Sequence, residues 1–135
     1  MRNLLLLSFL LLAAACVQVK NKMTIDEQIS AELGEGRQSL PSPAGSYTLF
    51  LSADTLSEAD KLVKLMVVEH KEEKIILQDT LANVNLSWFS NNEILVEQRL
   101  GIVQPNTSAN GIRRFVLNVE NGQRRPLPEN KKLQQ

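Results

Sequence analysis

The sequence predicts a mainly β fold: a small antiparallel meander of about six strands, curled or closed into a small barrel, with one short N-terminal helix as an addition. Three observations predict it. Short apolar and β-branched runs recur between residues 47 and 125. Two of them, residues 84–89 and 112–120, alternate apolar with polar side chains, the period of a half-buried strand. Several connections are short and built from Asn, Gly, Ser or charged residues, as hairpin turns are.

The elements follow in chain order. Residues 16–45 are expected to be a mostly polar tether, with Gly34, Gly36, Pro41 and Pro43 near its end. A helix over 25–33 fits inside it. Thr24 and Glu27 have capping-box spacing, Ile25, Ile29 and Leu33 share a face, and Gly34 is placed to stop the helix. The β domain spans residues 46–127. Residues 47–51 suit a strand, and 62–69 and 74–78 suit two more around the charged loop His70 to Glu73. Helix and strand both remain open over 57–68: Thr55 and Glu58 have capping-box spacing, whereas Val63, Val67 and Val68 favour a strand. Val84, Leu86 and Trp88 point one way, Ser90 to Asn92 turn the chain, and 93–99 return. Residues 105–111 form a connection rich in Pro, Asn, Ser and Gly. Asn121-Gly122 predicts a type I′ turn after 112–120, with 123–125 pairing back. Residues 128–135 are a polar tail.

The first 15 residues have the three parts of an export signal: Arg2, an apolar run from Leu4 to Leu12 broken only by Ser8, and Ala13 to Ala15. The run is too short to span a bilayer, which takes about 20 residues. It ends in Cys16, the only cysteine, so no intramolecular disulfide can form. Ala13-Ala14-Ala15-Cys16 resembles the lipobox of bacterial lipoproteins. That resemblance implies a diacylglycerol on the Cys16 sulfur, cleavage before it, and an acyl chain such as palmitate on the new amino terminus. Val17, in place of the aspartate that retains enterobacterial lipoproteins at the inner membrane, implies the outer membrane, facing the periplasm or the surface.

Residues 74–127 resemble a blade of a TolB-like or WD40-like β-propeller, through Asn85 to Val96 and Ile112 to Leu127, with Trp88 before a turn and Gly122 within one. A propeller needs at least four blades of roughly 40 residues. The resemblance therefore implies blade-like hairpins in a small independent sheet. Asp54-Thr55-Leu56 and Asp79-Thr80-Leu81 resemble the motif at which Bacteroidetes attach O-glycans, which implies sugar sites at Thr55 and Thr80.

Fifteen basic residues balance fifteen acidic ones, so charge gives no case for a nucleic-acid partner. His70 is the only histidine, and its acidic neighbours read more simply as a solvated loop than as a metal or catalytic site. No glycine-rich phosphate loop occurs, and no cofactor or metal is expected. Phe89 and Leu95 fall opposite the Trp88 face, and the doublets Arg113-Arg114 and Arg124-Arg125 flank the last turn. These six residues are the expected interaction surface. The function expected is that of a non-enzymatic envelope lipoprotein, a protein-interaction or structural accessory module with an envelope protein partner. The alternatives are a carrier of a small apolar ligand inside a curled sheet and, behind it, an enzyme with a site around His70.

Overall fold

The computed structural model describes residues 22–53, 61–101 and 111–127. It contains helix α1 (Ile25–Leu33) and strands β1 (Gln38–Pro41), β2 (Tyr47–Leu51), β3 (Leu62–Glu69), β4 (Lys74–Ala82), β5 (Val84–Trp88), β6 (Glu93–Arg99), β7 (Ile112–Asn118) and β8 (Arg124–Pro126). The strands form two four-stranded antiparallel sheets, ordered β1-β2-β3-β4 and β5-β6-β7-β8. The mainly β composition and the short helix agree with the sequence. The single sheet of about six strands, curled or barrel-closed, does not. Both sheets are open.

The physical reason lies at Asn83. Its backbone is left-handed, with φ at 55°, a conformation that Asn tolerates better than β-branched or bulky residues. Its N–H donates at 2.7 Å to the carbonyl of Lys61, which leads into β3 of the first sheet, and its own carbonyl accepts from Arg99 N–H in the second at 2.8 Å. Its side-chain oxygen takes the Lys61 N–H at 3.1 Å. One residue therefore carries the chain from one ladder to the other, and the meander breaks into two layers there.

The layers share one core. Leu49, Leu51, Leu65, Val67 and Leu81 of the first sheet pack with Leu86, Ile94, Val96, Phe115, Leu117 and Val119 of the second. Helix α1 covers the other face of the first sheet, where Ile29 and Leu33 bury against Met66 and Val68. Its capping box is formed, with the Thr24 hydroxyl accepting from Glu27 N–H and the Glu27 carboxylate from Thr24 N–H. Segment 62–69 is a strand; residues 54–60, including Thr55, lie outside the described residues.

Three local expectations are corrected. The tether contributes β1, an edge strand ending in Pro41, where a missing N–H costs no ladder bond. The last turn is not type I′. Asn118 N–H bonds the Gln123 carbonyl, so four residues make the loop, and of Asn121 and Gly122 only Gly122 has positive φ. Residues 74–127 are not one blade, because β4 belongs to the first sheet and β5 to β8 to the second.

Candidate interaction surface

The outer face of the second sheet is built by alternation. Leu86, Ile94, Val96, Phe115 and Leu117 point into the core, so Ser87, Leu95, Val116 and Arg125, which pair across the four strands, point outward. Arg125 does not stand away from the sheet. Its guanidinium reaches Glu93 at 3.2 Å and lies 5.9 Å from the centroid of the Phe89 ring. Its aliphatic stem must therefore run over the face, which fits Val116 being only 1% exposed. Phe89 remains 49% exposed. The turn holds it there: Phe89 and Ser90 N–H both donate to the Glu93 carbonyl, at 2.8 and 3.2 Å. A second ion pair, Arg114 to Glu97 at 2.8 Å, sits on the same face. The hydrogen bond from Arg114 holds the Glu97 carboxyl below its ordinary value, with Arg114's charge and the Asn85 amide adding to it and partial burial opposing them.

The arginine doublets split. Arg114 and Arg125 lie on this outer face with Phe89 and Leu95. Arg113 and Arg124 are on the inner side of their strands, with guanidiniums 5.6 and 5.3 Å from the Phe115 ring centroid. Arg124 also bridges to Asp79 of the first sheet at 3.0 Å. Adjacent residues in a strand point to opposite faces, so neither doublet could form one patch. The six residues expected to act together divide into four and two.

Of the other sequence candidates, His70 is exposed on the β3–β4 turn and shares a hydrogen bond with the Thr48 hydroxyl at 2.8 Å. Among the described residues no group of His, Cys, Asp or Glu is placed to hold a metal ion. Thr80 is exposed on edge strand β4, while Cys16 and Thr55 lie outside the described residues. No described helix is long and apolar enough to cross a membrane. Leu86 and Phe115 are buried in the shared core, and Trp88 packs at its side.

Two features escape sequence reading. Tyr47 and Trp88 stack between the sheets with centroids 6.4 Å apart. The Tyr47 hydroxyl donates to Glu120 at 2.7 Å, and the Trp88 indole N–H donates to the Leu40 carbonyl at 2.8 Å. The hydrogen bond to Glu120, then burial, then the charges of Glu120 and Glu69 push the Tyr47 phenol up to about 12. The second feature is an open cleft of about 780 Å³ beside the Asn83 corner, lined by Lys61, Asn83, Val84, Asn85, Glu97, Arg99, Leu100, Gly101 and Ile112. Its residues come from the second sheet and from Lys61 and Asn83 beside it, and are far apart in sequence, so no motif announces it.

No family model, curated protein or solved structure matches this chain. Neither family resemblance is sustained. The propeller likeness also fails on the two open sheets, and the lipobox residues lie outside those described.

Proposed function

We propose that this chain is a non-enzymatic cell-envelope protein, held at the membrane by lipid on Cys16, that acts as a protein-interaction or structural accessory module through the outer face of its second sheet. One observation carries the choice of surface. The first sheet has α1 over its outer face, whereas no described element covers that of the second. There Phe89 stands half exposed beside Arg125 and Leu95, and aromatic and Arg side chains are the types that contribute most at protein interfaces. The lipid anchor rests on what the lipobox-like Ala13-Ala14-Ala15-Cys16 implies, with an apolar run directly before the only cysteine. Two or three acyl chains would hold the protein stably, at about 0.8 kcal/mol per buried methylene.

Site-specific photo-crosslinking in cells tests this. A photoreactive residue at Phe89 or Leu95 should give a discrete protein adduct in the outer-membrane fraction, and one at Ser39 on the far sheet should not. Equal adducts from all three positions, or none from Phe89 and Leu95, would reject the surface. Cys16→Ala should move the protein from the membrane to the soluble fraction; retention with an unmodified thiol in the native chain would reject the anchor.

A further inference from the structure

We propose that the cleft at the Asn83 corner binds a small amphiphilic anion, a single-chain carboxylate, with its head on Arg99 and its chain against Val84, Leu100 and Ile112. The cleft lies apart from the outer-face residues Phe89 and Arg125, and the proposal stands independently of the function given above.

Three independent features converge there. The first is size: about 780 Å³ falls within the range of roughly 300–1,000 Å³ usual for small-molecule sites. The second is an apolar wall left open. Leu100 and Ile112 are 39% and 36% exposed, two of the five large apolar side chains exposed among the described residues, and both line this one cleft. Val84, half-buried against the core, continues the wall. The third is charge. Arg114, Arg124 and Arg125 each hold a carboxylate. Arg99 is exposed, lines the cleft, and has no carboxylate partner among the described residues. Glu97 is the one carboxylate among the described lining residues, and Arg114 neutralises it. Among the described lining residues, Arg99 is therefore a cation with no carboxylate to offset it.

The polar groups suit a carboxylate head. A guanidinium offers paired donors in the plane that two carboxylate oxygens require. Asn83 spends its side-chain oxygen on Lys61 N–H, which leaves its amide nitrogen as a further donor on the cleft wall. A neutral apolar ligand would leave these donors without partners, and a small hydrophilic anion would leave the apolar wall in water. Only a molecule with both parts satisfies both.

The test uses the full chain with decanoate, 1-decanol and acetate, read by NMR shifts of the Leu100 and Ile112 methyl groups. These signals distinguish the cleft from adsorption elsewhere on the chain. Decanoate should shift both residues saturably, with an affinity about tenfold above that of 1-decanol, a difference of about 1.4 kcal/mol. Acetate should shift neither. Arg99→Gln should remove the preference for decanoate over 1-decanol, whereas Arg113→Gln, outside the cleft, should keep it. Vesicles of anionic phospholipid should leave both methyl groups unshifted, since one free chain is the ligand. The proposal is overturned if decanoate leaves Leu100 and Ile112 unmoved, if decanoate and 1-decanol bind alike, if Arg99→Gln retains the preference, or if vesicles alone produce the shifts.

Discussion

Tyr47 is the only tyrosine in the chain, so its ionisation can be followed by absorbance without interference from another. The bond to Glu120 favours the neutral phenol in the folded state and raises the value to about 12, from 10.0 for the free side chain. A raised folded value means the contribution to stability is complete below pH 10 and is lost as pH rises toward about 12. Glu120→Gln should bring the tyrosinate midpoint back toward 10; an unchanged midpoint would show that burial, not Glu120, sets it. Trp88 beside it is half-buried rather than enclosed, but its ring stacks on Tyr47 and its N–H is spent on Leu40. Trp88→Ala is expected to cost about 3 kcal/mol, the low end for a large aromatic, because part of the ring already meets water. His70→Ala, at an exposed turn, should stay within about 0.5 kcal/mol of the parent. Denaturant unfolding of both variants checks the pair. Equal midpoints would mean that Trp88 is a surface contact.

Helix α1 shows where an element draws its stability. Its nine residues are too few to persist alone in water. The capping box helps, but Thr24 is exposed, and Thr24→Ala should cost only about 1 kcal/mol. Ile29 is buried between the helix and Met66, so Ile29→Ala should cost about 2–4 kcal/mol. A larger loss from the cap than from Ile29, measured as unfolding midpoints, would mean the helix is not held by docking. Among the strands, β4 is the longest and lies at an edge, where unpaired backbone invites association. Two devices blunt it: a register shift that leaves Ile76 of β4 unpaired opposite the Val67–Val68 step of β3, and the inward charge of Asp79, which Arg124 holds.

For the whole molecule the decisive point is the passage between sheets. Because Asn83 takes a left-handed backbone and bonds both ladders, the two layers should unfold as one unit. Asn83→Gly keeps the conformation accessible, losing only the side-chain bond to Lys61, and is expected to cost about 1 kcal/mol. Asn83→Val adds the left-handed penalty of roughly 1–2 kcal/mol for a residue with a branched Cβ. Calorimetry of the two variants decides. If the valine variant is as stable as the glycine variant, the corner is not under the constraint described.

Local patterns in the sequence are enough to determine the helix, its cap and its buried face, because spacing of apolar residues and capping chemistry act within a few positions. They also determine the β5–β6 hairpin, whose inward set of Val84, Leu86 and Trp88 meets the core as alternation requires. Tertiary structure alone decided that the meander divides into two sheets, since the turn at Asn83 is one residue whose two ladder partners, Lys61 and Arg99, are remote in the chain. It decided that Gln38–Pro41 is a strand, because a four-residue segment without clear alternation is held extended only when β2 supplies its hydrogen bonds. It separated the two arginines of each doublet, one to the outer face and one toward Phe115. And it assembled the cleft, whose Lys61, Asn83, Arg99 and Ile112 meet only when both sheets are formed. Short-range preferences are written along the chain; which faces meet depends on burial between segments distant in sequence, and no local pattern records that.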